Sequence, residues 1–110
     1  MEFNVLAKQL ESNFLPENAK GIDAAVQLQI DGKTIEHWVM EIHQSTCSIL
    51  PGESDAPRVT VRVSESDLRA LLAHQLDPMM AFFSGRVQVH GDRGFLMKLP
   101  ALFSTQGLLD

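Results

Sequence analysis

From Arg58 to Val63 charged or polar residues alternate strictly with valine, as Arg58-Val59-Thr60-Val61-Arg62-Val63, and then the alternation stops. Successive side chains of a strand point to opposite faces, so this stretch predicts a strand with one wet face and one face that must be covered. The cover follows at once. Ser64-Glu65-Ser66-Asp67 resembles a capping box, and Leu68, Leu71, Leu72 and Leu76 fall on one stripe of a helix. A strand with one apolar face, running into a helix with one apolar stripe, commits the chain to a sheet packed on helices.

The rest of the chain has the same two periods. Phe3, Leu6, Ala7, Leu10 and Phe14 recur every three or four residues and predict an amphipathic helix that Pro16 ends. One further helical turn over Pro16–Lys20 is expected, with Gly21 as its cap. Ala24, Val26, Leu28 and Ile30 then alternate with Ala25, Gln27, Gln29 and Asp31, which predicts a strand. Asp31-Gly32 reads as a tight turn that uses the positive φ open to glycine. The return strand covers Thr34 to His43 with Trp38, Met40 and Ile42 on one face, and a third covers Thr46 to Leu50. Pro51-Gly52-Glu53-Ser54-Asp55-Ala56-Pro57 is a loop by composition. After the Leu68–Leu76 stripe, Asp77-Pro78 starts a short helix that Gly85 stops, Arg86 to His90 is a strand, and Gly91-Asp92 restarts helix. Phe95, Leu96, Leu99, Leu102 and Phe103 suit its apolar face, which Pro100 should kink or split. Most strands precede most helices, which is an α+β layout: a mostly antiparallel sheet with helices over one face.

At 110 residues the chain has room for one core. Its net charge of −5, with Lys and Arg scattered, leaves no positive face for a nucleic-acid backbone and disfavours adsorption to an anionic membrane by charge alone. No apolar run approaches the ~20 residues of a membrane span, so membrane contact is transient at most. Met1-Glu2-Phe3-Asn4 lacks the basic start of a signal peptide, and Gly107-Leu108-Leu109-Asp110 is not a peroxisomal signal; a cytoplasmic address is expected.

Chemistry is hard to find. The single cysteine, Cys47, excludes an intrachain disulfide and reads as a small, half-buried strand residue. His37 and His43 share a strand face but lie about 20 Å apart at ~3.3 Å per residue, too far to share a metal. Gly91-Asp92-Arg93-Gly94 lacks the ending of a phosphate-binding loop, and helix capping by Asp92 explains it better. A hydrolase would need an activated nucleophile, for which Ser45, Cys47 and Ser48 offer no visible partner. The expectation is a protein that is not an enzyme and uses no cofactor or metal.

The apolar residues are more informative. Met79, Met80, Phe82 and Phe83 occupy more than one face of a helix of about two turns, whereas a surface helix needs only one apolar stripe. They either plug an ordinary core or line a space that must accept variable shapes, a task that suits flexible methionine.

The order of the segments is itself a signature. Val59-Thr60-Val61-Arg62-Val63-Ser64-Glu65-Ser66-Asp67-Leu68, Leu76-Asp77-Pro78-Met79-Met80, Phe83-Ser84-Gly85-Arg86-Val87, Val89-His90-Gly91-Asp92 and Leu96-Met97-Lys98-Leu99 together resemble the sterol carrier protein 2 domain family. The resemblance spans nearly the whole chain and rests on order and spacing rather than on one motif. It implies a five-stranded, mostly antiparallel sheet with helices covering one face and a hydrophobic tunnel between them. It also implies lipid binding: a fatty acid, acyl-CoA, sterol-like or isoprenoid ligand, moved or presented without chemistry. Carried over by position, the implied lining is Trp38, Met40, Leu72, Leu76, Met79, Met80, Phe82, Phe83, Phe95, Leu96, Leu99, Leu102 and Phe103. Pro100 departs from the family pattern, and the missing peroxisomal signal argues against the eukaryotic peroxisomal carriers. A second implied role is an accessory one, in which the domain presents a lipid intermediate to a partner enzyme such as one of quinone biosynthesis. A monomer and a homodimer both remain open.

Overall fold

The computed structural model describes residues 3–104. Met1-Glu2 and Gly107–Asp110, which bore on the cellular address, lie outside the described residues. Helix α1 (Phe3–Ser12) and a 3-10 turn (Pro16–Asn18) precede β1 (Ala24–Asp31), β2 (Ile35–His43), β3 (Thr46–Pro51) and β4 (Val59–Ser64). Then come α2 (Glu65–Leu72), α3 (Pro78–Phe83), β5 (Val87–Gly91), α4 (Arg93–Lys98) and a second 3-10 turn (Leu99–Leu102). The five strands form one sheet in the order β3-β2-β1-β4-β5. Three of its pairings are antiparallel and one, β1 with β4, is parallel. The expected α+β architecture is therefore present, mixed through a single parallel pair.

Register aligns the apolar residues into rows across the sheet. Ile49, Met40, Val26 and Val59 form one row, and Trp38, Leu28, Val61 and Val89 the next. Helices pack over the face these rows present: α1 on β3, α2 on β4 and β1, α3 on β5, and α4 on β4. Val26, Ile30, Ile42 and Val59 are among the most completely buried large side chains. Each contributes about 1.5–3 kcal/mol through removal from water.

A parallel pair needs a crossover, and here it is the seven-residue loop Gly52–Arg58, which runs across the opposite face of the sheet. Gln27 holds it there. Its side chain, 7% exposed, accepts from the Ser54 N–H at 2.7 Å and donates to the Gly52 carbonyl at 3.1 Å and the Trp38 carbonyl at 3.2 Å. Val39, the partner of Gln27 across β2 and β1, is buried beside it.

Several elements end differently from the sequence reading. The α1 helix stops at Ser12, not Phe14. Asn13 donates its side-chain N–H to the Gln9 carbonyl, and Phe14 leaves the helix to pair antiparallel with Phe103. Two backbone bonds fasten that junction, Leu15 N–H to the Leu102 carbonyl at 2.7 Å and Ser104 N–H to the Asn13 carbonyl at 2.8 Å. Helix α2 ends at Leu72, so Leu76 lies in the turn beyond it rather than on the helical stripe. His74 takes the left-handed conformation (φ 60°) after the helix, and the residue before Pro78 must be extended, so the helix cannot run on. The β1–β2 turn forms as expected, but Gly32 is not at positive φ; a Cβ there would instead come within 2.5 Å of the Glu65 carboxylate. The β2–β3 turn carries no glycine and places Gln44 and Ser45 at φ 49° and 60°. Pro100 splits the last helix, as anticipated: α4 ends at Lys98 and the chain continues as a 3-10 turn.

Replacing Gln27 with Ala leaves the crossover loop's buried groups without partners. The expected loss is about 2 kcal/mol in denaturant unfolding, with faster proteolysis between residues 52 and 58.

Candidate functional site

Two boundaries of the apolar layer are set by local chemistry. Ser64 caps α2 by accepting from the Asp67 N–H at 3.1 Å, which starts the helix directly at the end of β4. Asp92 caps α4 by accepting from the Phe95 N–H at 2.9 Å, and its other oxygen binds the Arg58 guanidinium at 3.0 Å. The same guanidinium lies over the Phe95 ring, 4.4 Å from its centroid. Gly91 stands at φ 104°, where a Cβ would meet the Arg58 carbonyl oxygen at 2.6 Å. Gly91-Asp92 is thus a joint that folds α4 back over the sheet, in agreement with the capping role expected of Asp92. Asp77 occupies the N-cap position of α3 with extended backbone, but its carboxylate makes no capping bond; Pro78 alone sets the first turn.

The residues implied by the family resemblance separate into three groups. Met40, Phe95 and Leu102 are buried in the core. Trp38, Leu72, Phe82, Leu96, Leu99 and Phe103 are half-buried and pack against that core, and Leu76 is half-buried in the turn after α2. Met79, Met80 and Phe83 are exposed, at 42%, 63% and 76%. Of the residues of α3 it is Ala81 that is buried. A helix lying close on β5 presents its smallest side chain to the sheet and turns the large ones aside.

Closure of the apolar layer is uneven. The Met40–Val26–Val59 row is sealed, its members 6%, 0% and 1% exposed. In the adjoining row Trp38 and Leu28 are only half-buried, and α2 buries none of its residues completely. Around that region stand Leu68, Leu72, Phe82, Val87, Leu96 and Leu99, all half-buried and packed on the core cluster. Leu28, Leu68 and Val87 are absent from the lining that the family resemblance implied, although the parity of Leu28 and the stripe position of Leu68 carried the signal. Phe3 closes the far side of Trp38, with ring centroids 4.9 Å apart.

Among the described residues no three His, Cys, Asp or Glu side chains cluster closely enough to hold a metal ion. His37 lies near Glu53 and His43 near Asp23, at 3.8 and 3.3 Å, on the face away from the helices. Cys47 and Ser48 point to opposite faces of β3. The Cys47 thiol pKa is pushed up to about 12, by burial first and by the Glu11 carboxylate second. Glu11 also accepts from the Ile49 N–H at 2.6 Å, satisfying a backbone donor of the edge strand β3.

The sequence matches the SCP-2 sterol transfer family over residues 3–104. The chain belongs to this family. Sterol carrier protein 2 of Bos taurus is 34% identical over 65 residues, which are 59% of this chain but only 12% of that protein. The fold resembles palmitated SCP2L2 from Aedes aegypti, with a TM-score of 0.76 at 21% identity, over 92% of this chain and 93% of that one. It also resembles part of the sec-alkylsulfatase Pisa1 from Pseudomonas sp., with a TM-score of 0.84 at 18% identity, over 96% of this chain and 17% of that one. This SCP-2 fold therefore occurs both as nearly a whole small chain and as a fraction of a much longer one.

Two tests follow from the local electrostatics. With a pKa near 12, Cys47 is almost wholly protonated at neutral pH. Alkylation of the native protein should be slow, and fast once denaturant exposes the thiol. Asp92 has its pKa lowered from 3.8, by the Phe95 N–H first and Arg58 next. A carboxyl with a lower pKa folded than unfolded adds stability above its unfolded value and loses it as pH falls through the folded one. Unfolding of Asp92→Asn followed by circular dichroism should therefore show a weaker loss of stability on acidification below pH 3.8 than the parent protein.

Proposed function

We propose that this SCP-2 domain holds one apolar lipid, a fatty acyl chain, acyl-CoA, sterol-like or isoprenoid molecule, between the inner face of the sheet and the α2–α3–α4 layer. The observation that carries the reading is the half-closed region beside a sealed core: Trp38, Leu72, Phe82, Leu96 and Leu99 are packed on that core without being fully covered. Apolar side chains left partly uncovered forgo burial worth ~25 cal/mol per Å², and a chain- or ring-shaped lipid restores it. The helices above it are short, and α2 buries no residue completely, so they can shift to admit ligands of different girth. The palmitated state named for the Aedes aegypti relative supports an acyl chain as one occupant. The domain binds and releases its lipid without forming or breaking covalent bonds. Met79, Met80 and Phe83 stand outside the half-buried set, at the border of the layer.

A second reading keeps the same lipid and changes the purpose of binding: the domain presents its lipid to an enzyme. The fold's place as 17% of an alkylsulfatase chain supports it. Recovery of one stoichiometric enzyme with tagged protein would favour presentation over transfer.

The lipid reading is tested by native mass spectrometry of the purified protein and by thermal shift with palmitate, palmitoyl-CoA, a sterol and a prenol. Retained lipid is expected, together with stabilisation that grows as RT ln(1 + [L]/Kd), about 2.7 kcal/mol at a hundredfold excess over Kd. Leu72→Trp, which fills the half-closed region, should weaken this shift while the far-UV spectrum stays unchanged. Absence of both bound lipid and thermal shift across the panel would overturn the reading.

A further inference from the structure

Two charged side chains stand at opposite ends of the half-closed apolar region. On the sheet side, Glu36 has the parity of Trp38, Met40 and Ile42, and so belongs to the face that the helices cover. It is half-buried there, and its carboxylate accepts the indole N–H of Trp38 at 3.2 Å. On the helix side, the Arg93 guanidinium lies over the Phe82 ring, 5.5 Å from its centroid. Phe82 is one of the half-buried side chains packed on the core. A carboxylate therefore adjoins one lining aromatic, and a guanidinium adjoins another.

The register of the sheet separates these two places. The Trp38–Leu28–Val61–Val89 row runs from β2 through β1 and β4 to β5. Three strand spacings make it about 14 Å long. Helix α3, which carries Phe82, packs on β5, at the end of the row away from Trp38. Arg93 also differs from Arg58, which lies over an aromatic ring as well. Phe95 beneath Arg58 is buried, and Asp92 binds the Arg58 guanidinium at 3.0 Å. Among the described residues Arg93 forms no ion pair, so its planar fork of donors is open beside a half-buried ring.

We propose that Arg93 binds the carboxylate of a fatty acid whose chain runs along this row toward Trp38, and that Glu36 fixes this direction by repelling the carboxylate from the other end. The proposal rests on the lipid reading above and adds which head the domain selects and which way it lies. A guanidinium meets a carboxylate with two parallel hydrogen bonds, and the adjoining Phe82 ring keeps water from one side of that contact. At the β2 end the same head would face the Glu36 carboxylate, with the Trp38 indole N–H already engaged. A neutral hydroxyl head makes a weaker bond to Arg93 and is not repelled by Glu36. A sterol or prenol is therefore bound less tightly than a fatty acid of similar apolar area.

Trp38 is the only tryptophan of the chain and so reports on the β2 end. The full chain, stripped of lipid, is titrated with palmitate and with hexadecanol, a neutral lipid of the same length. Two further ligands are palmitate brominated early in its chain and palmitate brominated at its last carbon. Palmitate is expected to bind about tenfold more tightly than hexadecanol, by a margin that shrinks with added salt. Bromine at the last carbon should quench Trp38 fluorescence more strongly than bromine near the carboxylate. R93Q should lose most of the preference for palmitate and R93K should keep part of it. R86Q, which removes another exposed arginine, should match the parent. Three results overturn the proposal while the lipid reading stands: equal affinity for palmitate and hexadecanol, a preference that R93Q retains, or stronger quenching by bromine near the carboxylate. Binding of neither lipid overturns both.

Discussion

The parallel pairing of β1 with β4 is the constraint on which the rest of the molecule depends. It places β1 at the centre of the sheet and aligns Val26 with Val59, Leu28 with Val61 and Ile30 with Val63. Parallel neighbours cannot be joined by a tight turn, so the chain must cross from β3 to β4 over one face. The crossover takes the face where Gln27 can bind it, and the other is left to the helices. A glutamine at this place is costly to bury unless it is fully bonded. Its bonds to Gly52, Ser54 and Trp38 meet that condition and select the route of the loop.

With one face taken by the crossover, the helices share the other unequally. The N-terminal helix and the last 3-10 turn are fastened together where Phe14 pairs with Phe103, and they help close the core around Leu6, Ala19 and Leu102. Over the β1–β4 half lie α2, α3 and α4, of eight, six and six residues. Helices this short bury little area each, and their stability comes mainly from packing. Beneath them Val26, Val59 and Phe95 are sealed, while Leu28, Leu68, Leu72, Phe82, Leu96 and Leu99 stay half-buried.

The segment Pro78–Phe83 shows how a composition can mislead about direction. Two methionines and two phenylalanines look like a core plug, or the wall of a cavity. In the fold Ala81 is the residue that meets the sheet, Phe82 is half-buried, and Met79, Met80 and Phe83 face outward. Hydrophobicity says that a side chain gains by leaving water. It does not say whether the protein's own interior, a ligand or a membrane will cover it.

Much of the architecture was legible in the sequence, because periodicity is a local property. Alternation placed the strands of Ala24–Asp31 and Val59–Ser64, the Ser64 and Asp92 caps marked two helix starts, and Pro100 marked the break after α4. The order and spacing of these segments also carried the family. The ends of α1 and α2 were not legible: Phe14 is drawn out of its helix by a partner 89 residues later, and His74 adopts the left-handed conformation in a turn that carries no glycine signal. Nor could the sequence reveal which apolar residues stay half-covered. That depends on the angle and distance at which three short helices settle over the sheet, which long-range packing decides.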